Sequence, residues 1–270
     1  MLILNQQEIV TERFPNNETK VWDIAEIIHP SRNILEFMYT DDCDLVLLMF
    51  VKWRLDELHS PCRLVIRYMP YSRMDRKIAG NVFTLQYVCR FINMLHFDKV
   101  VVVEPHSRMT LKLLERAKAI YPVMDWLPAI LKKTGFKDND RIVFPDKGAA
   151  KRYRKSGLKD LCVFEKTRNP ITGRIEEMKL TKGVITPNAK CIIIDDLCSA
   201  GGTFFLAGNI LRDMGAGEVI LVVAHCEPTV FDGQLLTDRS PVSRIYTNDS
   251  MMNRQHPKIE YLPINIDRYV

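Results

Sequence analysis

Two adjacent carboxylates, Asp195 and Asp196, follow a run of four apolar residues, Cys191 to Ile194. After them come Leu197, Cys198, Ser199, Ala200, Gly201, Gly202 and Thr203, and then an apolar helical pattern from Phe204 to Met214. An apolar run of that kind reads as a parallel strand buried on both faces, which places the Asp pair at its carboxyl end. In an open α/β sheet, ligands bind beyond the carboxyl ends of the strands. A glycine-bearing turn there lets backbone N–H groups approach a phosphate, and the dipole of the next helix favours the anion. The carboxylates add acceptors for sugar hydroxyls or for a hydrated divalent metal. The expected ligand is a phosphorylated sugar held from both ends. The plainer alternative is an acidic turn that only caps a helix; the Gly pair and Thr203 behind a buried strand suit ribose and phosphate better.

Other polar clusters also fall just after expected strands. Arg73, Asp75, Arg76 and Lys77 follow Pro70-Tyr71, and His106 stands two residues from Glu104. Further clusters are Pro145 to Gly148, Glu165 to Arg168, and His225. Arginines packed after a strand suit polyphosphate and purine contacts, because the guanidinium donates in pairs. Lys166 and Arg168 alternate in an extended stretch, so they point the same way. Two such cations could stabilise charge moving in phosphoryl or pyrophosphoryl transfer. Each cluster alone also reads as a solvated charge run, a surface histidine or exposed strand cations. Their repetition at successive strand ends converges them on one sheet edge.

The elements that must carry these residues alternate. Strands are expected at 1–4, 63–68, 99–103, 141–144, 161–165, 191–194 and 218–224. Helices are expected at 43–58, 84–95, 109–119, 126–134, 148–156 and 204–214. This alternation argues for βαβ units and an α/β fold with two mainly parallel sheets flanked by helices. Lys137 to Asp140 is the candidate linker, which divides the chain into domains 1–137 and 138–270. Residues 169–188, with turn signals at Asn169-Pro170 and Thr172-Gly173, read as a mobile excursion. The apolar content of 47% and charged content of 26% are those of an ordinary globular chain, which excludes a disordered or fibrous one. A net charge of +5 is too mild to argue for nucleic acid over small anions. Seven cysteines without a CxxC pair point to free thiols in a reducing cytosol, as core filler with the methionines. Apolar runs far short of a span, and no signal pattern, lead to the expectation of a cytoplasmic protein without membrane or nucleic-acid partners.

In order along nearly the whole chain, these clusters resemble those of the phosphoribosyl-pyrophosphate synthetases, or ribose-phosphate diphosphokinases, of the type I phosphoribosyltransferase fold. Asp195 to Thr203 looks like that family's ribose-5-phosphate loop, Asp-Asp-x-x-Asp-Thr-x-Gly-Thr. Pro70 to Arg76 looks like its Pro-Tyr-x-Arg-Gln-Asp-Arg segment, and Glu104-Pro105-His106 is similar to its Asp-Leu-His. Phe144 to Gly148 matches Ser-Pro-Asp-x-Gly. Phe14 to Glu18 is like the Phe-x-Asp-Gly-Glu that reaches adenine across a subunit contact. The resemblance implies two phosphoribosyltransferase-like domains and a Mg²⁺-dependent enzyme. The anomeric hydroxyl of ribose 5-phosphate would take the β,γ-diphosphate of ATP, giving a 1-pyrophosphate and AMP.

The same resemblance assigns ATP to Phe14, Asn16, Glu18, Arg73, Met74, Asp75 and His106, and metal to His106 and Asp146. It assigns ribose phosphate to Asp195, Asp196, Ser199, Ala200, Gly201, Gly202 and Thr203. The catalytic flexible loop would carry Lys166 and Arg168, with His106 by the nucleotide, and residues 169–185 would close over the site. Self-association to a dimer or hexamer is also implied. Asn16-Asn17 stand for Asp-Gly, Met74 for Gln, Glu104-Pro105 for Asp-Leu, and Ser199-Ala200 for Asp-Thr. The last change removes an acid and a hydroxyl from the sugar-phosphate loop, as a larger acceptor such as ADP-ribose, in NAD metabolism, would require. A phosphoribosyltransferase and a non-catalytic synthetase-like regulator are the remaining alternatives.

Overall fold

The computed structural model describes residues 1–77, 80–153, 157–158, 161–168 and 175–269. It separates into two compact units, Met1–Ile120 with Asn265–Val270, and Tyr121–Ile264. The linker expected at 137–140 is therefore not where the units part. The helix before it buries Val123, Trp126, Leu127 and Ile130 in one core with Ile142, Phe144, Ile192 and Ile220. That shared core puts the helix in the second unit.

In the first unit, strands β1 (Leu2–Leu4), β2 (Gln7–Glu8), β3 (Thr11–Arg13), β4 (Thr19–Val21) and β5 (Asn33–Phe37) precede helix α1 (Cys43–Glu57). Strand β6 (Cys62–Ile66), helix α2 (Thr84–Met94), β7 (Lys99–Val103), α3 (Arg108–Leu113) and β8 (Ala117–Ile120) follow. The six-stranded sheet runs β2-β1-β5-β6-β7-β8, and β3 and β4 pair as a separate hairpin. From β5 to β8 the pairing is parallel. β7, Lys-Val-Val-Val-Val, is buried from its second residue on, as a central parallel strand must be. α1 places Leu47, Leu48, Val51 and Leu55 in one core with Leu2, Leu35, Leu64 and Val100 of the sheet.

The helix expected over 109–119 stops at Leu113, and its second half is β8. Arg116 takes a left-handed φ of 51°, which ends any helix. Pairing of Ala117–Ile120 with Val100–Val103 then overrides a helix-prone composition. β5 was not expected from its short mixed pattern, Asn-Ile-Leu-Glu-Phe; only its alternate residues are fully buried.

The second unit holds α4 (Pro122–Thr134), β9 (Arg141–Phe144), α5 (Lys147–Arg152), β10 (Leu161–Arg168) and β11 (Ile175–Lys182). After these come β12 (Lys190–Cys198), α6 (Gly202–Asp213), β13 (Glu218–Cys226), β14 (Val242–Thr247) and β15 (Ile259–Tyr261). Its seven-stranded sheet is ordered β11-β10-β9-β12-β13-β14-β15, parallel except for β11 against β10. α4 begins with Pro122 in its first turn and ends on Gly135 at φ 63°, matched start and stop signals. Two expectations change here. β12 continues through Asp195 and Asp196 to Cys198, so the acids lie within the strand. Residues 175–182 of the expected excursion are a strand, fixed by pairing with β10. Residues 169–174, and 154–156 of the expected helix, lie outside the described residues.

Candidate anion and ribose site

In the second unit, β10, β9 and β12 are neighbours in that order, so their carboxyl ends gather one set of charges. Asp146 follows β9 and caps α5, its Oδ1 accepting from the Ala149 N–H at 2.9 Å. Its Oδ2 lies 2.7 Å from Lys166 Nζ on β10. Burial pushes the Asp146 carboxyl up, but the Lys166 ammonium and the helix amides outweigh it and hold it below the usual carboxylate range. Lys166 is thus on a strand, opposite Met178 of β11, rather than in a loop. Arg168 is the last residue of β10, beyond a register shift at Thr167, and its side chain lies outside the described residues. Lys147 pairs with Glu165 at 2.7 Å beside them.

Asp195 and Asp196 are held by a residue that the sequence reading did not single out. Arg152, the last residue of α5, places Nη1 3.3 Å from Asp195 Oδ1 and 2.7 Å from Asp196 Oδ1. Asp195 Oδ1 also accepts the Asp196 N–H at 2.9 Å. Burial, then the Asp196 charge beside it, pushes the Asp195 carboxyl well above its ordinary range, and Arg152 opposes that shift. One signal for Arg152 was available: it stands four residues after Gly148, on the same face of the expected helix.

The turn that follows is built against a second layer. Ser199 Oγ lies 3.2 Å from Thr229 Oγ1, which donates to Glu227 Oε2 at 3.4 Å. Ala200 is exposed. Gly201 adopts φ 83°, and a Cβ there would stand 2.2 Å from Leu235 Cδ1, so both conformation and space require glycine. Its carbonyl accepts the N–H groups of Phe204 and Phe205 at 3.0 and 2.9 Å, starting α6. Gly202 opens the helix with nothing within 4 Å of a Cβ position, and Thr203 follows in the first turn. A 12-residue helix aims its first amides out of this turn, an arrangement suited to a phosphate. Below it, Cys198 and Cys226 pair in register in the core, and six of the seven cysteines are buried free thiols.

In the first unit the residues expected at ATP fall on three features. Arg73, Met74 and Asp75 lie in the loop after β6, with Arg73 exposed and Asp75 half-buried, 3.9 Å from Arg76 Nε. That loop is pinned by Tyr71, at φ 60°, whose hydroxyl donates to Asp42, and by the Met74 N–H on the Tyr71 carbonyl at 2.9 Å. His106 follows β7, the parallel neighbour of β6, so both loops leave the same sheet edge. It stands between buried Glu104-Pro105 and Ser107, which caps α3 by accepting from Met109 N–H at 3.1 Å. Phe14, Asn16 and Glu18 form the exposed tip of the β3–β4 hairpin, closed by Phe14 N–H on the Glu18 carbonyl at 2.9 Å. Among the described residues, no group of three or more His, Cys, Asp or Glu could hold a metal ion. The two oxygens of Asp146 meet the Ala149 N–H and the Lys166 ammonium.

No protein-family model matches the chain. It is 29% identical to a ribose-phosphate pyrophosphokinase of Aeropyrum pernix over 74% of its own length and 65% of that protein's. It is 33% identical to the ribose-phosphate pyrophosphokinase of Pyrococcus abyssi over 60% of the chain and 56% of the relative. The chain thus spans less than two thirds of these two relatives. A crystal structure of phosphoribosylpyrophosphate synthetase from Mycobacterium smegmatis superposes over 94% of the chain and 85% of that protein, with a TM-score of 0.75 at 18% identity, and so shares the fold. Relatives of one description recur along most of its length, so the chain is similar throughout to the ribose-phosphate pyrophosphokinases.

Proposed function

We propose that this protein is a diphosphokinase that transfers the β,γ-diphosphate of ATP to the anomeric hydroxyl of a 5-phosphorylated ribose, releasing AMP. The observation that carries the reading is the second unit's juxtaposition: an acidic pair on β12, a glycine turn at the start of α6, and Lys166 two strands away. Asp195 and Asp196 accept hydrogen bonds from the ribose hydroxyls. The first amides of α6 and Thr203 bind the 5-phosphate, since a helix N-terminus favours an anion. Lys166 offsets charge on the transferring group, as a positioned ammonium does in phosphoryl transfer. In the first unit, Arg73, Asp75 and His106 serve ATP, with Phe14, Asn16 and Glu18 at the adenine end.

Magnesium enters with the nucleotide. It binds phosphate oxygens while keeping several waters, so it needs few protein carboxylates. Self-association belongs to the same proposal. No helix of the described residues is long and apolar enough to cross a membrane.

A specific feature favours a larger acceptor as the second reading. Ser199 is turned to Thr229, and Ala200 offers no donor, so the turn grips its anion through backbone amides and Thr203. Such a turn accepts a pyrophosphate-linked 5-phosphate as readily as a monoester, which admits ADP-ribose. The test is incubation with Mg–ATP and either ribose 5-phosphate or ADP-ribose, following AMP release and product mass. AMP with a product heavier by a diphosphate is expected for one or both acceptors. No AMP with either would overturn the proposal.

A further inference from the structure

We infer that Arg152 is a positioning residue for the acceptor: one guanidinium nitrogen locks Asp195 and Asp196 into a single two-carboxylate face for sugar hydroxyls. The inference rests on the reading of Asp195 and Asp196 as ribose acceptors. Its geometry is independent of that reading. Nη1 reaches Oδ1 of both acids, at 3.3 and 2.7 Å, from a helix that follows a different strand. The three side chains are only 15%, 13% and 4% exposed, so water does little to screen the pair.

Two buried carboxylates on consecutive residues cannot both stay ionised without a cation beside them. Lys166 is committed to Asp146 at 2.7 Å and Lys147 to Glu165 at 2.7 Å. Among the described residues, Arg152 stands within ion-pair distance of both acids. The two N–H bonds of Nη1 keep fixed directions in the guanidinium plane and so fix where the oxygens point, which a rotating ammonium does not do. Orientation matters here because a ribose diol donates two O–H groups at a set separation. A merely neutralising partner would be replaceable by lysine; a positioning one would not.

The test uses the full chain carrying Arg152→Gln or Arg152→Lys, with KM for ribose 5-phosphate and for ATP, kcat, and thermal unfolding measured for each. Arg152→Gln is expected to raise the acceptor KM by about tenfold or more while the ATP KM stays within about twofold. Arg152→Lys should move the same way by a smaller factor, and it folds because the charge is kept. An acceptor KM unchanged in Arg152→Lys, or an ATP KM raised equally, would overturn the assignment. Should Arg152→Gln fail to fold, the split in Arg152→Lys decides alone. If the wild type releases no AMP with either acceptor, the diphosphokinase reading falls separately. Calorimetric binding of ribose 5-phosphate to wild type and Arg152→Lys then decides: equal affinities, or no binding to the wild type, overturn the positioning role.

Discussion

Lys166 illustrates how one side chain carries both a structural and a chemical role. Its ammonium is 16% exposed and 2.7 Å from Asp146, so Lys166→Ala removes a candidate catalytic cation and also strands a half-buried carboxylate. The expected outcome is a fall in kcat of about a hundredfold or more, the scale of losing a charge-stabilising donor, with the ATP KM little changed. A stability loss accompanies it, and pH separates the two effects. Asp146 is held below its ordinary value, so the pair stabilises the fold above the unfolded pKa, about 3.9, and that gain vanishes as pH falls through the lower folded value. The double variant Lys166→Ala with Asp146→Asn should recover the melting temperature at neutral pH but not turnover. Recovery of both would make Lys166 structural only. Residue type alone pointed to Lys166 and to the Asp pair. It could not point to Arg152, because a lysine- and arginine-rich helix end looks like ordinary solvated charge until the fold brings it under β12.

At the scale of elements, the strands that were legible are those buried on both faces. β7 and the first half of β12 announce themselves as β-branched runs between polar ends. β8 and β11 did not, because each takes its form from a neighbour that sequence spacing does not reveal. β12 itself runs past its expected end, since Asp195 and Asp196 trade solvent for Arg152 while Asp195, Leu197 and Cys198 stay paired with β13. The turn after β12 depends on a comparable long-range contact. The 3-10 turn Pro228–Asp232 ends on Gly233, where a Cβ would stand 1.9 Å from the Ala200 carbonyl oxygen. Gly233 has φ −95°, which any residue can adopt, so the constraint is space against backbone. Gly233→Ala must push the two segments apart. A loss of about 1–3 kcal/mol in denaturant unfolding is expected, the range for overpacking. The acceptor KM should rise and the ATP KM should not. A variant that kept both stability and acceptor KM would show that the turn yields freely and is not shaped by Gly233.

At the scale of the whole molecule, the two units have separate hydrophobic cores, which accounts for two alternating sets of strands and helices being readable from the sequence. What the alternation did not reveal is the outward face of α1. Val46, Phe50 and Trp53 recur at helical spacing and are 46%, 41% and 52% exposed, although the opposite side of the helix is packed on the sheet. Trp22 on the adjoining hairpin is also exposed, and with Phe50 it lines a cleft of about 340 Å³. An apolar face of this kind, rimmed by Asp23 and Arg54, is characteristic of a protein–protein contact. With self-association part of the proposed function, a second copy of this chain is the expected occupant. Trp53→Glu would place a charge in the middle of that face, where a buried unpaired carboxylate is costly. The substitution should shift the wild-type assembly toward smaller species in sedimentation or light scattering. Because Trp53 faces outward, the melting temperature at low concentration should change little. An assembly of unaltered mass would show that copies of the chain meet elsewhere and leave this face for another partner.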